Sequence, residues 1–533
     1  MKSLTLYISI ICILLALQSC RKNANSNSDH LVFRYNESAN IQTLDPAFSR
    51  NQAILWPCNQ LFNGLVQLDD SLAIQPDIAK SWSLDSTGKT YRFILRNDVY
   101  FHAHINFGKD STRAVVASDF TYSFDRLLAA KTASPGAWIL QKVARYTAVN
   151  DSVFQVELKE PFPAFLGLLS MKYASVVPRE ILEDNQHDFR SHPIGTGPFY
   201  FKFWEENIKL VLRKNKRYFE RDQQGNALPY LESVAITFLP DKQSAFLQFI
   251  QGKLDFISGL DPSYTDEILT DEGQLQEKYQ DRIQLVTGPY LNTEYLGFNL
   301  ETPDAAIGDK RIRMALNLGF DRHKMLLYLR NGMGSARVKG IIPEGLAGYK
   351  ADNGVVYNPI EAKALVRDFV RETGVKPVLT LSTNASYIDI AEYLQREWQK
   401  IGVEVRVDVS PPATLRQGIA TGKVAFFRGS WIADYPDAEN YLSLFYSHNK
   451  APNGPNYTRY DNPDFDRAYR ASFSETKPEK RALLYGQMDE FLYRDVPVIV
   501  LFYDRVARFS QKNVSGLGIN PMNALQLKRV KKD

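Results

Sequence analysis

The sequence predicts an α/β protein built as more than one lobe. Three observations carry that expectation. The chain has 533 residues, more than one hydrophobic core usually serves, so two or three lobes are required. Its first half repeats short segments alternating apolar and polar side chains, the period of a strand with one face buried. Its second half places strand, helix and strand in succession between residues 378 and 409, the spacing of a βαβ unit, so part of that half holds parallel strands.

In chain order, Leu31-Val32-Phe33-Arg34-Tyr35 opens the folded part as a strand. Tyr91, Phe93 and Leu95, then Phe154, Val156 and Leu158, mark two more. Ile208, Leu210 and Leu212, then Val234, Ile236 and Phe238, repeat the alternation. Between them, Ser118-Asp119 starts a helix carrying Phe120, Phe124, Leu127 and Leu128. Asp241 caps another, bearing Ala245, Phe246 and Phe249 and ending at Gly252. In the second half, Asp321 starts a helix with Met325, Leu326 and Leu329 on one face and Gly332 just past its end. Asn358-Pro359 supplies an N-cap and first helical position for Ala362, Leu365, Val366 and Phe369. Val378 to Leu381 is a strand, and Ile388, Ala391, Leu394, Trp398 and Ile401 mark one helix face. Gly402 stops that helix, and Val403, Val405, Val407 and Val409 form the next strand.

A formal charge of +4 on this length is close to neutral and no long basic run occurs, so nothing points to nucleic acid. Residues 1–20 read as a signal peptide: Lys2 precedes an apolar run from Leu4 to Leu17, too short to span a bilayer. Leu17-Gln18-Ser19-Cys20 resembles a lipobox, with cleavage before Cys20 and a lipid on its sulfur; the alternative is an uncleaved anchor. Residues 21–28 form a polar tether. With Cys12 removed and Cys20 acylated, Cys58 stands alone, so no intramolecular disulfide is expected and Cys58 is read as a small buried hydrophobe.

Catalytic chemistry finds little purchase. His102 and His104 would share a face if extended, but no Cys, Asp or Glu set at ligand spacing accompanies them, so no metal site is expected. No H-E-x-x-H, G-x-S-x-G, P-loop or dinucleotide fingerprint occurs, and Gly195-Thr196-Gly197-Pro198 lacks the lysine and helix of a phosphate loop. Neither a catalytic residue nor a cofactor is expected.

The most informative stretch is residues 426–442. The apolar run Val424 to Phe427 is expected to end as a strand there, leaving Arg428, Trp431 and Asp434, spaced by threes, in an irregular segment that Pro436 keeps from regular pairing. A cation, an indole and a carboxylate suit a zwitterionic ligand with an apolar middle. The alternative is internal pairing of Arg428 and Asp434 with a core Trp431. This stretch resembles the W-x-x-D-Y-x-(D/E)-P region of family 5 extracytoplasmic solute-binding proteins, the oligopeptide and dipeptide receptors of ABC importers. Ala438 departs from it, standing where that family usually has proline.

Other matches follow in family order: Leu44-Asp45-Pro46, residues 59–65, residues 75–82, residues 91–96, Gly195-Thr196-Gly197-Pro198-Phe199 and Leu296-Gly297-Phe298-Asn299. They cover nearly the whole mature chain and are weakest from Phe101 to Ala117, where a compact F-H-D-G turn is replaced by a longer loop. The resemblance implies a two-lobed periplasmic-binding-protein fold of type II with an inserted subdomain, mixed sheets and a hinge crossed twice. It assigns residues 29–72, 189–289 and 497–533 to lobe I, 73–188 to the inserted subdomain and 290–496 to lobe II. Thr287-Gly288-Pro289 and Asp495-Val496-Pro497 are the hinge candidates, and plain turns are their alternative. It also implies that Asp434 holds a peptide's amino group, that Trp431 and Tyr435 line the site and that Arg428 faces the carboxylate end. The expected partners are a peptide, an ABC permease and, through the lipid anchor, a membrane; the chain itself is expected to be a monomer in the cell envelope. Within the same fold an oligosaccharide, a nickel complex or another small solute is the alternative cargo. A surface hydrolase or adhesin is the alternative from another class.

Overall fold

The computed structural model describes residues 31–533 other than 185, 260, 262, 352 and 353. The expected signal segment 1–20, its Cys20 and most of the approach to the first strand lie outside the described residues. Two long apolar strands, Ile283–Phe298 and Val498–Gln511, pair antiparallel and organise the remainder. They run through the middle of a ten-stranded sheet. On one side follow Phe426–Ile432, Val378–Thr383 and Glu404–Val409. On the other come Phe256–Ser258, Val32–Asn36, Ser233–Thr237, Lys209–Lys214 and Phe199–Glu205. Val378–Thr383 pairs parallel with Glu404–Val409 across the helix Ile388–Lys400, the βαβ unit that the sequence predicts. Val32–Asn36 is also parallel to Ser233–Thr237, whereas the outer pair Lys209–Lys214 and Phe199–Glu205 is antiparallel. A separate antiparallel sheet orders Ala79–Leu84, Thr90–Leu95, Val153–Leu158 and Val143–Asn150.

These sheets divide the apolar side chains among several cores, as the length requires. Phe93, Phe120, Phe124, Phe154 and Phe165 pack beneath the separate sheet. Phe33, Trp56, Phe62, Leu210 and Val234 form another core, closed by Leu525, Leu527 and Val530 from the end of the chain. In the second half Phe298, Leu316, Phe369, Leu381 and Trp398 cover one face of the large sheet, and Leu291, Tyr441, Phe465, Tyr485 and Met488 the other. Helix starts follow the expected chemistry. Asp241 accepts a hydrogen bond from Ser244 N–H at 2.8 Å, Asp321 from Lys324 N–H at 3.0 Å and Asn358 from Glu361 N–H at 3.1 Å. The helix expected from Ser118 begins at Ala117, because the Asp119 carboxylate turns back to Val116 N–H.

The glycine-rich turn before Phe199–Glu205 has a packing reason. A Cβ at Gly195 would fall 2.1 Å from the carbonyl oxygen of Leu61, and one at Gly197 would fall 2.4 Å from that of Gln60. The turn therefore lies directly on the end of helix Gln52–Leu61. His102 clasps it from the other side, meeting Gly197 O through Nε2 at 3.0 Å and Gly195 N–H through Nδ1 at 3.2 Å. Burial lowers the His102 pKa to about 4, so the ring is neutral and structural. His104 is half-buried and caps the short turn Ile105–Asp110 through Asn106 N–H. Cys58 is fully buried, and its thiol is pushed up by that burial.

The register locates a break in the pairing beside one hinge candidate. Thr287, Gly288 and Pro289 pair with Ala507, Val506 and Arg505, and the pairing is interrupted between Pro289 and Thr293. Asp495-Val496-Pro497 is not opposite that break: Val496 caps the helix Pro478–Asp495, and Pro497 O accepts from Phe298 N–H at 3.1 Å. A helix cap accounts for the turn residues there.

Candidate functional site

Phe426–Ile432 continues as a strand beyond Phe427, because it pairs residue by residue with Asn292–Phe298. This corrects the expectation that Arg428 and Trp431 lie in an irregular segment. On a strand, side chains alternate faces, so the spacing by threes sends these two to opposite sides of the sheet. Arg428 joins Leu296, opposite it, on the face of the Trp398 core, whereas Trp431 joins Phe427 and Tyr295 on the other face. The chain leaves the ladder only after Ile432, and Asp434 is the charged residue that emerges there.

Arg428 does not present a vacant guanidinium. It forms a short ion pair with Glu294, in which the two side chains are 12 % and 4 % exposed, and its guanidinium carbon stacks 3.4 Å from the centre of the Tyr387 ring. Burial raises the Glu294 carboxyl, against the opposing pull of Arg428. Asn292 Nδ2 bridges Glu294 and Asp504 at 3.2 and 3.1 Å. The expected carboxylate clamp is thus an internal ion pair, because the neighbouring strand places a glutamate beside it.

Tyr435 is corrected in the same way. Its ring is buried in the core of the separate sheet, 6.2 Å from the Trp138 ring, and its hydroxyl donates to Glu439. Glu439 also accepts from the Tyr469 hydroxyl, and burial raises its carboxyl. Asp437 is equally engaged, taking Arg481 at 3.1 Å and the Tyr485 hydroxyl at 2.7 Å. Trp431 is half-buried and donates Nε1–H to Asn440 Oδ1 at 2.8 Å.

Asp434 differs from all of these. Among the described residues it has no cationic partner; its carboxylate meets only Asn440 Nδ2, at 3.4 Å. The side chain is exposed to solvent, yet burial raises its carboxyl above the ordinary range. Both hold for a carboxylate that water reaches while the surrounding protein weakens its solvation. Asn440 organises the position, since its Oδ1 accepts both Trp431 Nε1–H and Asp434 N–H, the latter at 3.2 Å. Sequence reasoning passed over Asn440. It is the second residue of the short helix Glu439–Leu442, and its burial there is a product of the fold rather than of any local signal.

Two parts of the molecule meet beside this position. A Cβ at Gly167 would lie 3.6 Å from Pro436, Trp138 approaches Tyr435, and Phe162 packs edge-on to Phe473 at 5.6 Å. Tyr173 stands near Asp434, whose charge helps to raise its hydroxyl to about 12, after burial. Away from this region, His102, His104, His187 and His192 line a cavity of about 430 Å³. Among the described residues no group of three or more His, Cys, Asp or Glu side chains is arranged to hold a metal ion.

Comparison with known proteins agrees with this arrangement. Residues 73–453 match the model of bacterial extracellular solute-binding proteins, family 5 Middle. The dipeptide-binding protein of Escherichia coli strain K12 is 23 % identical over 485 residues, which cover 87 % of each chain. The structure of HbpA2 from Haemophilus parasuis superimposes with a TM-score of 0.82 at 22 % identity, covering 94 % of this chain and 100 % of that one. The periplasmic murein tripeptide-binding protein MppA of Escherichia coli, in its unliganded open form, gives 0.78 at 23 % identity over 94 % and 97 %. The fold is the two-lobed periplasmic-binding-protein fold with mixed sheets, and relatives of this kind bind solutes rather than catalyse reactions.

Proposed function

The chain belongs to family 5 of the bacterial extracellular solute-binding proteins, and from that premise we propose that it captures peptides by their free amino terminus between two lobes and passes them to an ABC importer. One observation carries the reading: in a stretch where Arg428, Asp437 and Glu439 each have internal partners, Asp434 alone is solvent-exposed and, among the described residues, without a counter-charge. A peptide ammonium supplies that charge. Closing the lobes excludes water, so the contact becomes a charge-assisted hydrogen bond in a low dielectric. Trp431 packs beside it, held by Asn440. The ligand's backbone is held by strand-like hydrogen bonds, and its side chains occupy hydrated space. The dipeptide-binding relative supports the same cargo class.

In this reading residues 29–72 and 189–289 with the end of the chain form lobe I, 73–188 the inserted subdomain and 290–496 lobe II. The lobes bend where the pairing of the two long strands is interrupted, between Pro289 and Thr293. Cys20 carries a lipid that keeps this monomeric receptor at a membrane of the cell envelope, facing the periplasm or the outside. Among the described residues no helix is long and apolar enough to cross a membrane. Calorimetric titration with trialanine and N-acetyl-trialanine tests the cargo. The proposal expects stoichiometric binding of the first, much weaker binding of the second and no cleavage of either; equal affinities would overturn it.

A further inference from the structure

A small polar cavity of about 80 Å³ is built without the part of the chain that carries Asp434, since none of its lining residues falls between 290 and 496. Asn59, Gln67, Ser170, Lys172, Tyr218 and Lys528 contribute to its wall. Separate segments converge there. The helix Gln52–Leu61 supplies Asn59, and the paired strands Val66–Leu68 and Ile74–Pro76 supply Gln67. The turn Lys172–Ala174 supplies Lys172, and the end of the chain supplies Lys528. Gln60 fastens that end: its Nε2 donates to Leu525 O at 2.8 Å and its Oε1 accepts from Leu527 N–H at 3.2 Å.

The groups around this cavity have more hydrogens to donate than the chain has acceptors to receive them. The Lys172 ammonium meets Phe62 O at 3.3 Å and, among the described residues, forms no ion pair. Burial lowers its pKa from the ordinary value, against the pull of Asp77. Asp77 is itself held by Asn63 Nδ2 at 2.8 Å and Gly64 N–H at 3.2 Å. The other carboxylate, Glu220, is taken by Lys528 at 2.9 Å and by Gln67 Nε2 at 2.9 Å. Lys528 also donates to Gln67 Oε1 at 2.7 Å. Asn59 Nδ2 is shut off from solvent and, among the described residues, has no acceptor. Hydrogens on Lys172 and Asn59 are therefore left over, and leaving such donors unanswered is costly. Water answers a donor but brings hydrogens that need acceptors in turn, whereas an oxyanion brings acceptors alone. The volume narrows the class, lying far below the roughly 300–1,000 Å³ of pockets for organic ligands.

We infer that this cavity binds a small tetrahedral oxyanion of the phosphate or sulfate class, held by Lys172 and Asn59. The bound anion ties the helix Gln52–Leu61 and the end of the chain to the turn Lys172–Ala174. The site is separate from peptide capture and stands whether or not Asp434 holds an ammonium.

The test follows thermal unfolding and calorimetric titration of the full chain with sodium phosphate, against sodium chloride at matched ionic strength. It compares the wild type, Lys172→Met and Asn59→Asp. The wild type should show one-site binding and a Tm that rises by about 2 °C or more and then levels off. Lys172→Met should lose both. Asn59→Asp puts a carboxylate beside Lys172 in the anion's stead, so it should melt at least as high as the wild type in chloride and ignore phosphate. Phosphate also strengthens burial in any protein by exclusion from its surface, but that rise does not level off and persists in both variants. Acetate, titrated in parallel, separates a tetrahedral anion from a carboxylate. A wild type that never saturates, saturation by acetate alone, or an equal saturable response in Asn59→Asp overturns the inference. Asn59→Asp decides the matter if Lys172→Met fails to fold.

Discussion

Arg428 and Asp434 belong to the same short stretch, carry opposite charges and both look like ligand contacts when read as letters. The structure treats them differently. Arg428 lies on a regular strand, with Glu294 reaching it from the adjacent strand and Tyr387 beneath its guanidinium. Asp434 lies past the end of that strand, where no partner strand supplies a cation, and Asn440 gives it only a neutral amide. The difference teaches that a charge within a ladder is answered by the fold, whereas one just beyond it can be left for a ligand.

The comparison breaks most visibly at Glu294. Glu294→Gln leaves Arg428 charged and buried without its partner, which should destabilise the protein by about 3–5 kcal/mol in chemical denaturation. Asp434→Asn should do the reverse, with stability within about 0.5 kcal/mol of wild type but peptide affinity weaker by about 2–5 kcal/mol. If Asp434→Asn unfolds the protein, or Glu294→Gln is silent, the contrast is wrong. Asn440→Ala sharpens it, because Trp431 Nε1–H and Asp434 N–H both lose their acceptor. A cost of about 1–3 kcal/mol, divided between stability and affinity, is expected.

A smaller effect concerns pH. Asp489 is buried, accepts Ile341 N–H at 2.7 Å and has its pKa raised to about 7, chiefly by burial. Its unfolded value is about 3.9, so between the two the folded state holds the extra proton. This group's contribution is therefore complete below the unfolded pKa and is lost as pH rises through about 7. Melting curves from acid to neutral pH should show Tm falling with rising pH, and Asp489→Asn should flatten the slope. Asp434, also raised by burial, should make peptide affinity fall on acidification at a higher pH than an ordinary aspartate would.

Much of the fold was legible because its signals are local. Asp241, Asp321 and Asn358 cap the expected helices, and the valines after Gly402 pair parallel to Val378–Thr383 as the βαβ pattern requires. What stayed hidden depends on partners distant in sequence. Nothing beside Arg428 announces Glu294, and nothing beside Tyr435 announces the core beneath the separate sheet in which its ring is buried. The end of the strand at Ile432 was misjudged because Arg428, Gly429 and Ser430 are poor local strand formers, yet they are held by pairing with Glu294, Tyr295 and Leu296. The turn signal at Val496 is ambiguous for a similar reason, since it marks a helix end as readily as a crossing between lobes.

The central claim is that the Asp434 carboxylate recognises a peptide's ammonium. It is tested most directly by measuring what N-acetylation of trialanine costs in binding free energy, in the wild type and in Asp434→Asn. A large cost in the wild type that nearly vanishes in the variant is the predicted result. The same cost in both proteins would contradict the claim.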